Sequence, residues 1–317
     1  MKIDQPPWMP DILYKTIKNQ QEQYDKGDSD FTVTELISPP HQAALKRKYG
    51  SEIEESADDR IWSLVGAGLH KAIESACGTG ITEKRFFIKR MGYVISGQAD
   101  YIEGKMVTND GFIQKTIYDW KVTSAWSVLD GPKPEWEHQL QLLALLYTNQ
   151  IDDKSPIVGD RDQMRQGILL RIVAFYRDWS EKQMMNNLDY PRHPYGKFAF
   201  PLWTATESEM FLIDRINAHL KADSVVNQKA SVCTPEERWQ KPDQWAVKKI
   251  GNKNATKVFD AEKDAKNFVG GKPLGEKTYE IEFRPGEDTR CKRYCNVARF
   301  CKYGKQYFET QSIKEAA

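Results

Sequence analysis

The sequence lacks long hydrophobic runs and has no excess of either charge. No stretch of about 18 apolar residues occurs, which argues against a membrane-spanning helix. Residues 1–7 contain no apolar segment, so we expect no secretory signal peptide. Lys and Arg number 46 against 45 Asp and Glu, a net charge of +1 that argues against a polybasic coating protein. We therefore expect a cytoplasmic protein with no membrane partner.

Cysteine is scarce and unevenly placed. Five cysteines, an odd number, do not suit a secreted disulfide framework. Cys291, Cys295 and Cys301 lie close together near the C-terminus, with Cys233 upstream, a spacing that more often indicates a metal site. Four thiolates suit either a [4Fe–4S] cluster or a Cys₄ zinc site, and both remain open. Cys77, on an apolar helical stripe, is expected to be packed in the core.

Hydrophobic periodicity predicts an α/β fold. A helix over residues 58–77 is followed by three closely spaced strands, then by a helix and an almost wholly apolar strand. The predicted bounds are 85–91, 93–102 and 113–122 for the three strands, 109–111 for a hairpin turn, 135–148 for the helix and 167–176 for the last strand. This order predicts a mixed central β-sheet flanked by helices.

Three regions divide the chain in this interpretation. Residues 1–30 form an N-terminal arm, residues 31–203 a core, and residues 204–317 a helix followed by a small four-cysteine metal module. Residues 180–203 are rich in proline, and we expect them to be loop.

Two acids and a lysine are the strongest candidate site. Asp100 and Asp119 lie towards the ends of two predicted strands, and Lys121 follows Asp119 on the same face. Two carboxylates hold a hard divalent cation, and a lysine beside them polarises water or stabilises charge on a phosphate. The alternative is a turn aspartate and a surface ion pair. The apolar surroundings of Asp119 favour the site, because burying a lone carboxylate is costly unless a cation offsets it.

An ordered set of motifs extends this pattern: His70-x3-Glu74, Gly97-x-x-Asp100, Ile117-Tyr118-Asp119-Trp120-Lys121 and Gln139. The set resembles the PD-(D/E)XK nuclease superfamily, and within it the RecB-like exonuclease branch, which includes phage exonucleases and the iron–sulfur nucleases of CRISPR adaptation. The resemblance covers roughly residues 31–177 plus the terminal cysteines. Without it, His70 on an apolar stripe is more simply a packed core residue.

The resemblance implies a restriction-endonuclease-like core and a Mg²⁺- or Mn²⁺-dependent DNA exonuclease acting at DNA ends, in recombination, repair or phage DNA processing. It places His70, Asp100, Asp119 and Val122 at the metal. It gives Lys121 the role of activating water or stabilising the transition state, and Gln139 an orienting role. Glu74 is a weaker candidate, and the tyrosine common in that branch one turn after the glutamine is replaced by Leu143, with Tyr147 a turn further.

The cysteine pattern departs from the resembling nucleases, which carry one cysteine before the core and three after it. Residues 37–40 replace the early cysteine here, and Cys233 is expected to take its role. We favour a [4Fe–4S] cluster, with structural zinc as the alternative. Basic residues interleave with aromatic ones around these cysteines, a mixture that suits a DNA strand but also a solvated rim. The expected DNA contacts are Arg290, Lys292, Arg293 and Arg299.

Two other functions compete with a DNA exonuclease. One is a non-catalytic DNA-binding or recombination-assembly protein on a nuclease-derived fold. The other is a glycoside hydrolase using the same carboxylates, which neither the lysine nor the cysteines favour. DNA is the expected partner, with a recombinase or a single-strand-binding protein as a further one.

Overall fold

The computed structural model describes residues 2–23, 25–106, 113–150, 165–226 and 232–307. The predicted turn at 109–111 lies outside them. The chain divides into two compact units, each built from two chain segments. Unit 1 comprises residues 1–43 and 54–224, and unit 2 comprises residues 44–53 and 225–317.

Unit 1 contains a mixed β-sheet with helices packed against it. In chain order its elements are β1 (Lys2–Asp4), α1 (Asp11–Glu22), β2 (Phe31–Thr32), α2 (Val33–Ile37), α3 (Pro40–Tyr49, continuing into unit 2), β3 (Glu54–Ser56), α4 (Ile61–Ala76), β4 (Ile81–Arg90), β5 (Tyr93–Met106), β6 (Ile113–Thr123), α5 (Pro134–Asn149), β7 (Ile168–Tyr176), α6 (Glu181–Asn186), β8 (Tyr195–Phe200) and α7 (Ala205–Val225).

The main sheet has the order β2-β5-β6-β7-β8, and β4 also pairs with β5. β2–β5 and β6–β7 are parallel, whereas β4–β5, β5–β6 and β7–β8 are antiparallel. The predicted α/β class with a mixed central sheet flanked by helices is therefore confirmed. A parallel β6–β7 pair needs a crossover, and α5 lies within the connection that supplies it.

Helix α5 packs directly on the sheet. Pro134 opens it, at a position where a missing backbone N–H costs nothing. Leu140 and most later residues of the helix are buried. Gly97 of β5 permits the close approach, because a Cβ there would lie 2.8 Å from both Leu143 Cδ2 and Val33 Cγ2. The residues that make α5 a core element also fix the position of its polar residue Gln139.

Three features of unit 1 differ from the predictions. Residues 195–200 form strand β8 rather than loop, because their alternating side chains pair with β7 at the edge of the sheet. Helix α4 forms as predicted, but none of its residues is fully buried, and Cys77 beyond it is only partly buried. Helix α7 belongs to unit 1 because Leu212 and Ile216 lie in the main core. The first unit thus extends beyond residue 203.

Unit 2 contains a three-stranded antiparallel sheet and short helices. Its elements are β9 (Gln244–Lys249), β10 (Ala255–Phe259), α8 (Glu262–Gly270), α9 (Gly275–Thr278), β11 (Tyr279–Arg284) and α10 (Thr289–Arg293), with the sheet order β10-β9-β11.

Two small cores hold unit 2 together. One places Val247 of the sheet against Ala265 and Val269 of α8. The other joins the early segment to the C-terminal residues: Leu45 and Ile53 pack with Val297 and Cys301. In the described part of the whole chain, no helix has the length and apolar character needed to cross a membrane.

Candidate metal centre and cysteine cluster

The candidate site lies at a gap in the strand pairing along one side of β5. β4 pairs with β5 from Tyr93 to Ile102 and occupies the other edge. On the side of β5 opposite β4, strand β2 pairs with Ile95 and Ser96. Pairing with β6 on that side begins only at Tyr101, which lies opposite Tyr118. Residues 97–100 therefore lie between two partner strands. The backbone N–H of Trp120 donates instead to Asp100 Oδ2 at 2.7 Å.

Asp100 is part of a three-residue group with His70 and Glu83. The ligand atoms of the three side chains all lie within 4.8 Å of one another. His70 Nδ1 is 3.6 Å from a carboxylate oxygen of each acid. Its Nε2 lies 3.1 Å from the carbonyl oxygen of Trp120, which brings that oxygen to the edge of the group. Carboxylates, an imidazole and a carbonyl form a donor set that suits Mg²⁺ or Mn²⁺.

Asp119 is held beside this group with Lys121 and Gln139. Its side chain is buried, with 1% of the residue surface exposed. Gln139 Nε2 donates to Asp119 Oδ1 at 2.8 Å, and Lys121 Nζ donates to Gln139 Oε1 at 2.8 Å. Lys121 Nζ also lies 2.7 Å from Asp119 Oδ2 as an ion pair. A metal ion is the other kind of partner that offsets the charge of a buried carboxylate.

Burial and the charges of neighbouring groups shift the pKa values of the acids and the histidine. Burial raises the pKa of Asp100, and the charge of Asp119 raises it further, to about 7, despite the opposing effects of His70, Trp120 N–H and Lys121. Burial alone would lower the pKa of His70, but the contact with Glu83 and the charge of Asp100 outweigh it and raise that pKa. The imidazole of His70, 3.6 Å away, holds the pKa of Glu83 below its usual range. The cluster therefore retains protons that a bound cation would displace.

The structure brings five of the predicted site residues together: His70, Asp100, Asp119, Lys121 and Gln139. Three other candidates lie elsewhere. Glu74 forms an ion pair with Lys71 on the exposed side of α4. Tyr147 packs edge-to-face on Phe86, and Leu143 is buried.

Val122 has no described contact with the site, whereas the carbonyl of Trp120 does. Val122 pairs with Phe175 in the parallel β6–β7 ladder. The backbone oxygen beside His70 belongs to the residue between Asp119 and Lys121. The described contacts thus place the carbonyl of Trp120 beside His70, and the role of Val122 stays a prediction.

Glu83 is the site residue that the sequence did not reveal. The β4–β5 register, with Thr82 opposite Tyr101 and Lys84 opposite Ala99, places Glu83 opposite Asp100. Its φ of 48° is left-handed, a conformation that costs energy in a residue other than glycine and is concentrated at functional sites. Gln98 holds its other oxygen through Nε2 at 2.5 Å. Only the hairpin register could have identified it.

The four predicted cysteine ligands all lie in unit 2, and no cysteine forms a disulfide. Burial raises the pKa of Cys233 to about 12, and Cys291, Cys295 and Cys301 add to the effect. The four thiols are thus within electrostatic range of one another. Across the described residues, however, no three sulfur atoms come within 4.8 Å of one another.

A buried carboxylate, Asp288, ties the segments that carry these cysteines. Arg238 donates to Asp288 Oδ1 at 3.1 Å and to the carbonyl of Cys233. The hydroxyl of Tyr303 donates to Asp288 Oδ2, as does that of Tyr307 at 2.7 Å. Hydrogen bonds and an ion pair therefore hold together the segments around residues 233, 288 and 303.

The predicted DNA contacts are largely engaged within unit 2. Glu287 forms ion pairs with Lys292 at 2.5 Å and with Arg293 at 3.4 Å. Arg299 donates to the carbonyl of Glu52 and lies over the Phe300 ring. Arg290 lies 4.0 Å from the centre of the Trp239 ring. Direct phosphate binding by Lys292 or Arg293 would compete with Glu287.

Comparison with known proteins gives no family assignment. No protein-family model matches the chain, and no curated protein matches its sequence. Among solved structures, the crystal structure of SSO0001 is 16% identical over 65% of this chain and 84% of that chain, with a TM-score of 0.42. A likeness of this size carries no argument about function.

Proposed function

We propose that this chain is a Mg²⁺- or Mn²⁺-dependent deoxyribonuclease of the PD-(D/E)XK type, an exonuclease that hydrolyses phosphodiester bonds at DNA ends. The observation that carries the proposal is the joining of two carboxylates, a histidine and a lysine at the gap in β5. Asp100 and Asp119 each come directly after the terminal β5–β6 pair, Tyr101 with Tyr118. Lys121 forms an ion pair with Asp119. Substrate class and family follow from the sequence resemblance.

The metal ligands would be Asp100, Asp119 and His70, with the carbonyl of Trp120 and the carboxylate of Glu83 completing the set. The buried carboxylate of Asp119 and the oxygen-rich donor set of the neighbouring group both fit such an ion. A divalent cation held there would supply positive charge to the scissile phosphate and acidify water in the site.

The chain's own residues prepare the reaction. Lys121 is positioned by Gln139 and Asp119, so its ammonium stands where it can orient water or stabilise negative charge on the phosphate. Glu83 lies 3.6 Å from Nδ1 of His70 and orients the ring, as carboxylates beside metal-binding histidines do. Substitution of Glu83 therefore tests its action at the metal, both directly and through His70.

We also propose that Cys233, Cys291, Cys295 and Cys301 hold a [4Fe–4S] cluster. A tetrahedral zinc with Zn–S bonds of about 2.3 Å would hold its sulfur atoms about 3.8 Å apart. A cubane cluster takes each thiolate on a different iron and so holds the thiolates further apart. The resemblance in sequence carries this proposal, with structural zinc as the alternative, and metal analysis decides between them.

Degradation of linear DNA tests the nuclease. We expect Mg²⁺-dependent release of nucleotides by the wild-type chain, and a loss of at least about 10²- to 10³-fold in Asp119→Ala and Lys121→Ala. Lys18→Ala, an exposed lysine on α1 that pairs with Glu22, is the matched control. Full activity in both site variants would overturn the assignment. Metal-independent DNA binding without cleavage by the wild type would instead support the non-catalytic alternative.

Metal analysis tests the cysteine site independently. Anaerobically purified protein should carry about four irons per chain and a broad visible absorption band. One zinc per chain and no colour would reject the cluster.

A further inference from the structure

The two units carry opposite net charges although the whole chain is nearly neutral. Unit 1 has 24 Lys and Arg against 31 Asp and Glu, whereas unit 2 has 22 against 14. Unit 2 therefore has an excess of eight positive charges over about one third of the chain. A basic module of this kind attracts polyanions.

Two exposed aromatic side chains lie together in this basic unit. Trp239 has 40% of its surface exposed and Tyr294 has 64%. Their ring centres are 5.6 Å apart, with the planes inclined at 64°. The guanidinium of Arg290 lies 4.0 Å from the centre of the Trp239 ring. We call these three residues the stacking cluster.

Hydrogen bonds and a buried ion pair hold the backbone around the cluster, and part of it is strained. Trp239 has a φ of 53°, a left-handed conformation that is unfavourable for a tryptophan. Its neighbour Arg238 is anchored by the buried ion pair with Asp288, and Arg290 N donates to the carbonyl of Arg238 at 3.0 Å. A tryptophan serving only as core material would be buried, whereas this one is kept at the surface in a costly conformation.

We propose that the stacking cluster binds unpaired bases of a DNA strand, so that unit 2 captures the single-stranded part of a substrate. Indole rings, phenol rings and guanidinium planes all stack on nucleobases. Each stacked base adds to the binding free energy, and all four base types can stack. In a duplex the faces of the bases are covered by the neighbouring base pairs, so they cannot stack on protein side chains. The basic surroundings favour a strand of phosphates over an apolar protein segment. The inference rests on the proposed function only in naming DNA rather than RNA.

The charge of the cluster and its surroundings supports this occupant. Lys292 and Arg293 share one carboxylate, Glu287, so their combined positive charge is not fully balanced there. Tyr294 follows them directly in the chain. A strand stacked on Trp239 and Tyr294 would carry its phosphates past these cations.

Fluorescence anisotropy of labelled oligonucleotides tests the site without cleavage. The full-length protein, in buffer without added divalent cations, is titrated into a 20-nucleotide oligo(dT) and into an abasic strand of equal length and charge. We expect oligo(dT) to bind at least about fivefold more tightly than the abasic strand. The double variant Trp239→Ala with Tyr294→Ala should lose this preference while still binding the abasic strand as the wild type does.

Control variants keep the outcome decisive. Trp239→Phe with Tyr294→Phe should retain the preference, and Phe283→Ala, an exposed aromatic residue of the same unit, should not alter it. Metal content and circular dichroism of each variant show that unit 2 is folded. Equal binding of both strands by the wild type, or a preference that survives the double alanine variant, would overturn the inference, as would tighter binding of oligo(rU) than of oligo(dT). Because cleavage is not measured, absence of nuclease activity would refute the proposed function and leave this site standing.

Discussion

Asp119 in unit 1 and Asp288 in unit 2 are both buried aspartates, with 1% and 2% of their surfaces exposed, yet their surroundings differ. Both oxygens of Asp288 accept hydrogen bonds, from Arg238 on one side and from Tyr303 and Tyr307 on the other. Asp119 accepts one hydrogen bond at Oδ1, from Gln139, and its Oδ2 forms an ion pair with Lys121. The carboxylate of Asp288 is thus satisfied by three hydrogen bonds, whereas that of Asp119 depends on one hydrogen bond and one ion pair.

The largest expected difference is in stability. Asp288→Asn leaves the guanidinium of Arg238 buried beside a neutral amide, so we expect unit 2 to lose about 3–5 kcal/mol in the free energy of unfolding. Asp119→Asn removes a charge that repels Asp100 and also the ion-pair partner of the partly exposed Lys121, so these opposing effects should change the stability of metal-free protein by no more than about 1 kcal/mol. Urea denaturation followed by circular dichroism measures both.

Glu262→Gln, which breaks an exposed ion pair with Lys266, is the control and should cause no resolvable change. If Asp119→Asn destabilised the protein as much as Asp288→Asn does, Asp119 would be a structural residue and the contrast would fail.

A smaller effect is expected from Gly97→Ala, which tests how Asp119 is kept in place. The added methyl group would meet Leu143 and Val33 at 2.8 Å and push α5, with Gln139, away from the sheet. We expect a loss of about 1–3 kcal/mol in the free energy of unfolding and reduced cleavage. Gly66→Ala is the matched control, because a Cβ there meets nothing within 4 Å. Unchanged stability and activity in Gly97→Ala would show that the packing of α5 does not set the site.

Glu83→Gln tests whether Glu83 takes part in metal binding. Because Glu83 contacts His70 and lies opposite Asp100, we expect Mn²⁺ affinity measured by calorimetry to fall about tenfold or more. Glu103→Gln changes a carboxylate on β5 that accepts a hydrogen bond from Tyr118 instead, and should leave the affinity unaltered. Equal affinities in wild type and Glu83→Gln would remove Glu83 from the site.

The smallest expected effect is on the pH dependence of stability. The pKa of Asp100 is raised to about 7 in the metal-free fold, so the folded state binds a proton that the unfolded state has released. The raised pKa of His70 acts in the same direction. Stability of metal-free protein should therefore fall by about 1 kcal/mol from pH 6 to pH 8 through Asp100, a decrease of about 2–4 °C in Tm.

Addition of Mg²⁺ should reverse this trend, because the cation binds the deprotonated acids. A Tm that rises with pH in metal-free protein would contradict the assigned direction. Glu83 does not contribute in this window, since its lowered pKa lies well below pH 6 and it is ionised throughout.

The sequence predicted much of the fold because its signals are local. The strands around Asp100 and Asp119, and helix α5 with Gln139, fall within a few residues of their predicted bounds, since period-2 and period-3.6 patterns are properties of short segments. The burial of Asp119 could also be inferred, from its apolar neighbours. Strand β8 could not, because Pro191 and Pro194 precede it and Gly196 lies near its start.

Glu83 and the composition of unit 2 depend on long-range pairing. Glu83 stands in a charged stretch that suits a surface strand, and only its register with Asp100 gives it a role. The packing of Leu45 on Val297 joins residues about 250 positions apart, for which periodicity carries no information. The cysteine pattern predicted a module but not the early segment that completes it.

Because unit 2 takes residues 44–53 from early in the chain, its assembly has to wait during synthesis. The ribosome makes this segment about 170 residues before Val225, where the rest of the unit begins. At about 5–20 residues per second, Leu45 and Ile53 remain without Val297 and Cys301 for at least about 10 s, while the chain of unit 1 is completed. The acidic unit can thus close first, and the basic unit, with its cysteines, forms only once Val297 and Cys301 have been made. A fragment starting at residue 225 would lack part of its own core.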